Sequence, residues 1–268
     1  MRTLPITILT LGLIAAATMA TIAQPGSPDG ITYRSGYSAM MRLGADLRRG
    51  LEFKFQEQIN PQPIFLTTDF APSVELVEYE SDPKPLRAIF ISAGFVDLVN
   101  QLAHAKAINS IEKGYFEKYV TSLADENVMR GLKPLPNFAD QRYWTDAVLN
   151  EQLSNFNSIV GIISGIKLSH HYLGQYKKYA AKLEGSEGRQ IPINALLSTS
   201  EWKEALTEGV RSSLHAGCAV EGAIPFFEAF DKMPQRPPWA AYFLPDNVKA
   251  KDMVKQLKRL QSKFFSGH

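Results

Sequence analysis

From Phe156 to Leu183 the chain reads as one long apolar helix, with no charged side chain before Lys167. Ile159, Ile163, Ile166, His170 and Leu173 follow one another at steps of four, three, four and three. That spacing puts them on one helical stripe, which other elements have to cover. His170 is therefore expected inside the protein. It stands in "SHHYLGQY", Ser169 to Tyr176, next to a second histidine. Neighbouring residues diverge by about 100° around a helix, so at most one of the pair enters a given site. His171, beside Ser164, Lys167 and Gly174, is expected nearer a polar edge.

Around this helix the other elements fall into two groups. Met40, Leu43, Leu47, Leu51 and Phe55 share a face, so Ala39 to Gln58 reads as an amphipathic helix ended by Asn60-Pro61. Three short runs, "PIFLTTDF", "SVELVEYE" and "LRAIFISAGF", read as strands of a small sheet. Everything later is helical in pattern: Phe95 to Ile108, Tyr115 to Ala124, Asp140 onward into the long helix, a helix capped within Ser198 to Glu201, Ala223 to Met233, and Val248 to Phe265. The expected fold is α+β, mainly α, with a small β-sheet in the N-terminal part. One domain is expected over 39–268, preceded by a Pro- and Gly-rich extended arm or linker over 24–38.

The first 23 residues suggest a compartment. Arg2 is followed by an apolar, Thr-rich run ending in small residues, with Thr21 and Ala23 at the −3 and −1 positions of a signal-peptidase site. This predicts a signal peptide and a secreted or periplasmic protein. Retention of the run as a membrane anchor is the alternative, and would make the chain a tethered structural protein. Cys218 is the single cysteine, so no intramolecular disulfide forms and stability has to come from the core. The net charge of +2, with lysines and arginines spaced as solvated helix faces, gives no sign of a nucleic-acid binder.

The chemistry-bearing residues are sparse. None of the five histidines, His104, His170, His171, His215 and His268, has another at the i+4 spacing of a helix-borne zinc pair. His104 shares a face with Asp97, Asn100 and Gln101 and reads as solvated. His215, Cys218 and Glu221 lie at steps of three, but Gly217 and Gly222 weaken any helix there. There is no Gly-x-Ser-x-Gly elbow, phosphate-binding loop or Rossmann fingerprint.

The order of motifs nevertheless resembles a family. "RAIFISAGFVDLV" is similar to the strand and turn that precede the catalytic helix in zinc metallopeptidases of the HtpX and CAAX-prenyl-protease type. "IKLSHHYLGQ" resembles their HExxHHxLGH, and "EALTEGVRSSLHAGCAVEGAIPFFEAF" resembles a later stretch of theirs. The likeness spans about Leu86 to Phe230 and implies a zincin-like helical core. Carried across, His170 matches the second zinc histidine, Ile166 stands at the first, and Lys167 replaces the general-base glutamate. Trp202 occupies the third ligand position, one residue from Glu201, and Leu244-Pro245 stands for a His-Pro. A second overlay of "LAHAKAI" keeps His104 as first ligand, with Ala105 and Ile108 at the base and second histidine.

Zinc hydrolysis needs an ion that acidifies its water and a carboxylate that takes the proton. Isoleucine cannot ligate, and lysine is a poor base unless strongly desolvated. The resemblance thus implies a non-catalytic binding or interaction module with no cofactor and an unidentified protein or peptide partner. Its expected contact surface is the loop "PQRPPWAAYFLPD", through Trp239, Tyr242 and Phe243. The rival is an active hydrolase with a rearranged zinc site drawing on His104, His170 and a carboxylate such as Glu201 or Glu221.

Overall fold

The computed structural model describes residues 28–69, 71–80, 84–123, 135–185, 190–233 and 235–267, with side chains from residue 39 onward. The expected signal peptide and the first residues of the expected arm lie outside the described residues, as do 124–134, 186–189 and His268. The fold is α+β and mainly helical. Helix α1 (Pro28–Arg49) and a single turn, α2 (Phe53–Gln56), lead into strands β1 (Ile59–Thr67), β2 (Val74–Tyr79) and β3 (Leu86–Ser92). Then come α3 (Ala93–Ile108), α4 (Tyr115–Leu123), α5 (Asp146–Tyr172), α6 (Gln175–Leu183), α7 (Thr199–His215), α8 (Val220–Lys232) and α9 (Ala250–Ser266). Short 3-10 turns at Gln141–Trp144, Ile193–Ala195 and Pro238–Tyr242 join them.

Of the boundaries that differ from the sequence reading, three have a clear local reason. The helix expected from Ala39 begins at Pro28, so 28–38 is helical backbone rather than extended arm; proline suits a first helical position, where no N–H is needed. The same helix stops at Arg49 instead of running to Gln58. Gly50 packs so closely on α7 that a Cβ there would stand 2.8 Å from the Ser212 carbonyl oxygen, and the chain turns away at the extended Glu52. The long apolar helix divides at Gly174, whose φ of 74° is left-handed, as at many helix ends.

The sheet has the order β1-β3-β2, with β1 parallel and β2 antiparallel to β3. Pro61 and Pro63 are tolerated because β1 is an edge strand whose register shifts between Ile59 and Ile64. Ser92 closes the sheet onto the helices: its hydroxyl accepts from Ser73 N at 2.8 Å and caps α3 by accepting from Phe95 N at 3.0 Å.

Helix α5 is the axis of the fold, packed against α7, α3, α8, α1 and the sheet. Every residue from Ser158 to Tyr172 is buried. Its contact with α7 is antiparallel and built from small residues four apart on both helices. The Ser169 hydroxyl lies 3.0 Å from the Ala205 carbonyl oxygen, and the Ser213 hydroxyl lies 2.9 Å from that of Gly161. Between them Gly165 faces Gly209, with no room for a Cβ on either: at Gly209 it would overlap the Ile166 backbone and stand 2.7 Å from the Gly165 carbonyl carbon. A helical glycine costs about 1 kcal/mol relative to alanine, and the close backbone approach is what offsets it.

Gly209→Ala is accordingly expected to destabilise the protein by about 1–3 kcal/mol through overpacking, despite the gain in helix propensity. Urea unfolding measures this, and an unchanged or raised midpoint would show that the two helices do not approach as described.

Candidate functional site

The C-terminal third of α5 brings Lys167, His170 and His171 into the interior together. The helix places His170 on the side facing α6 and α7. Its Nδ1 donates to the Gln175 side-chain oxygen at 2.7 Å, an orientation fixed because the Gln175 amide nitrogen donates to the Glu201 carbonyl oxygen at 3.0 Å. Nε2 therefore carries the ring's lone pair, and it has no hydrogen-bond partner among the described residues. Burial is the main reason the ring's pKa is pushed down to about 3, and the nearby Lys167 charge pushes the same way. His170 is neutral across the physiological range.

His171 is a correction to the sequence reading: it is buried, not at a polar edge. Its Nε2 donates to the Ala88 carbonyl oxygen on β3 at 2.9 Å, and burial pushes its pKa down to about 4. The sheet, packed over that side of α5, converts the expected edge into interior. His104 is corrected in the same way. It is buried on α3, donates from Nε2 to the Tyr143 carbonyl oxygen at 2.8 Å and stacks edge-on with Trp144. Burial lowers its pKa as well. Each of the three rings thus ties one element to another.

The residues proposed as ligands do not converge. His104 abuts Tyr143 and Trp144, just before α5 begins, whereas His170 lies near its end. At 1.5 Å per residue these points are roughly 35–40 Å apart along the helix. Glu201 is closer to His170 but its carboxylate is committed elsewhere. It closes the capping box with Ser198, pairs with Lys178 at 2.7 Å and accepts from the Tyr179 hydroxyl at 3.0 Å. Those partners, Lys178 first, hold its pKa down to about 2. Trp202 and Ile166 are buried apolar side chains.

The His215, Cys218 and Glu221 steps fail because α7 ends at His215 and the chain turns at Gly217, whose φ is +84°. His215 packs on Phe264, Cys218 is buried against Gly161, and Glu221 accepts from Gln261 on α9. Burial raises the Cys218 thiol to about 11, so it is unreactive. Among the described residues no group of three His, Cys, Asp or Glu side chains could hold a metal ion.

The aromatic loop is likewise not the free surface expected of it. Trp239 and Phe243 are buried, with Phe243 stacked on Phe95 at 5.0 Å and set edge-on to Phe226. Tyr242 is half-buried and donates from its hydroxyl to the Gln190 carbonyl oxygen. Asn194 and Arg236 pin the loop's backbone carbonyls. Phenylalanines on α3 and α8 offer more burial here than water does, so the loop closes the core.

Sequence reasoning missed the standing of Lys167. It is 2% exposed, and burial pushes its pKa down to about 7 against the weaker opposing pull of the Glu75 carboxylate. The signal was present in its position among isoleucines, one residue after Ile166. No protein-family model, curated protein or solved structure matches the chain.

The lysine carries a pH signature. Its folded pKa of about 7 lies below the unfolded value of about 10.4, so between these the unfolded chain holds more protons and stability rises with pH. One such proton gives at most about 1.4 kcal/mol per pH unit. Urea unfolding at pH 7 and pH 9 is expected to show this rise in the native chain and its loss in Lys167→Met. Equal slopes in the two would place the lysine in water.

Proposed function

We propose that the chain is an exported, non-catalytic binding module with a degenerate zinc-metallopeptidase-like fold. The observation that carries this reading is the pairing of Lys167 with His170. Where the resembled peptidases place a carboxylate base beside a zinc histidine, this chain has a buried amine beside a neutral imidazole. An ammonium there repels a divalent cation, and a neutral amine at higher pH adds one donor to the imidazole, with no group of three His, Cys, Asp or Glu side chains among the described residues to complete a site. Supporting it are the positions of Ile166 and Trp202 and the commitment of Glu201 to its helix cap. Export is proposed from the N-terminal run and its small-residue cleavage site. No described helix is long and apolar enough to cross a membrane.

Purified protein equilibrated with zinc and desalted is expected to retain far less than one equivalent by elemental analysis. His170→Ala should leave that content unchanged, and peptide hydrolysis should equal the buffer rate with or without a chelator. Stoichiometric zinc that disappears on His170→Ala would overturn the reading, as would chelator-sensitive cleavage.

A further inference from the structure

The pair α7–α9 presents a surface of different character from the apolar interior. Along α7, Lys203, Thr207 and Arg211 recur at steps of four; along α9, Gln256, Arg259, Leu260 and Lys263 recur at three and four. Each set shares a helix face, and the two faces border an open groove of about 580 Å³. Its lining holds four cations, Lys203, Arg211, Arg259 and Lys263, and no carboxylate. Arg211 is neutralised by Glu208 at 2.6 Å and Glu52 at 2.9 Å. The other three have no ion pair among the described residues. Leu214, Leu260 and Phe264 supply apolar walls between them. A ligand that satisfies both parts carries negative charge next to alkyl carbon.

Charge continues beyond the groove. The solvent face of α9 adds exposed Lys251, Lys255 and Lys258, against a single acid in that helix, Asp252. Phe265, seven residues after Lys258 and so on the same side, is 75% exposed. Cations flanked by an exposed aromatic ring are the composition of a helix that lies on an anionic bilayer, the ring entering the headgroup layer and the lysines meeting phosphate. A soluble anion would leave Phe265 in water. A zwitterionic surface would leave the cations without net attraction.

We propose that the α7–α9 face docks on an anionic membrane surface. The phosphate of an acidic phospholipid is seated in the groove among Lys203, Arg259 and Lys263, and Phe265 enters the headgroup layer on the other flank of α9. This deepens, and rests on, the reading of the chain as a binding module, by naming what it binds.

The full chain is tested by co-flotation with vesicles of phosphatidylcholine alone and of phosphatidylcholine mixed with phosphatidylglycerol. The apolar N-terminal segment contributes to both, so the difference between them reports the cationic face. Binding to the mixed vesicles is expected to be about tenfold tighter or more and to weaken with added salt. Each groove cation is worth roughly fivefold, so Lys203→Glu/Lys263→Glu should remove most of the difference, and Phe265→Ser should weaken binding to the mixed vesicles. Lys118→Glu/Lys177→Glu, an equal change in net charge at exposed sites elsewhere, should not.

Equal binding to both vesicles overturns the proposal. So does equal loss in the control pair, or displacement by inorganic phosphate at constant ionic strength, which would make the groove a soluble-anion pocket. Zinc-dependent hydrolysis would instead refute the module reading, whatever the vesicles show.

Discussion

The contact between α5 and α7 is the constraint on which the rest of the structure depends. Two helices with large side chains at their seam stand 8–10 Å apart; here Gly161, Gly165 and Ser169 meet Ser213, Gly209 and Ala205, and the backbones come closer. Close approach brings polar carbonyls into an apolar seam. The hydroxyls of Ser169 and Ser213 each stand between a carbonyl of their own helix and one of the facing helix, so the contact gains packing and keeps its polar atoms in reach of partners. With α7 on that side and α1, α3, α8 and the sheet on the others, α5 has no face left for water from Ser158 to Tyr172.

That enclosure explains the state of the polar residues near the end of α5. A neutral imidazole in a dry interior needs at least one hydrogen bond, and His170 and His171 each find one on a different neighbouring element. Because Gln175 and the Ala88 carbonyl accept from the rings, both tautomers are set by neighbours. Charging either ring would mean burying a cation with few partners. Lys167 has the same difficulty in a more severe form, since among the described residues its opposing charge is the half-buried Glu75. These residues weaken the fold at low pH while fastening α5 to β3, α6 and α7. The arrangement joins elements.

Much of the fold was legible because it depends on local pattern. The three strands, a cap for α7 within Ser198 to Glu201 and the burial of His170 follow from period, capping chemistry and stripe geometry. What was illegible depends on the partner. His104 and His171 sit at polar-looking positions of their own helices, and only the packing of Tyr143, Trp144 and β3 over them makes them interior. The small-residue seam was on view at steps of four in both helices, but a glycine in a helix reads as weakness until its opposite number is known. The aromatic loop failed for a related reason. Trp, Tyr and Phe suit an interface and a core equally well, and the choice was made by Phe95 and Phe226, distant in sequence.

The same distinction separates the interior from the surface as a place for function. Inside, His104, His170, His171 and Glu201 each hold at least one neighbour by a hydrogen bond, so the residues that resemble a catalytic set have structural duties. Glu201 shows this most plainly. One carboxylate caps α7, pairs with Lys178 and accepts from Tyr179, and any ligand that recruited it would have to replace all three. Outside, Lys203, Arg259 and Lys263 have no such commitments among the described residues, and α9 is amphipathic in the sense that matters for recognition. Met253 and Leu257 fix it to the body of the protein, leaving its charged face rigid. Because the helix backbone is already ordered, no backbone entropy is lost when its unpaired cations meet an anionic surface.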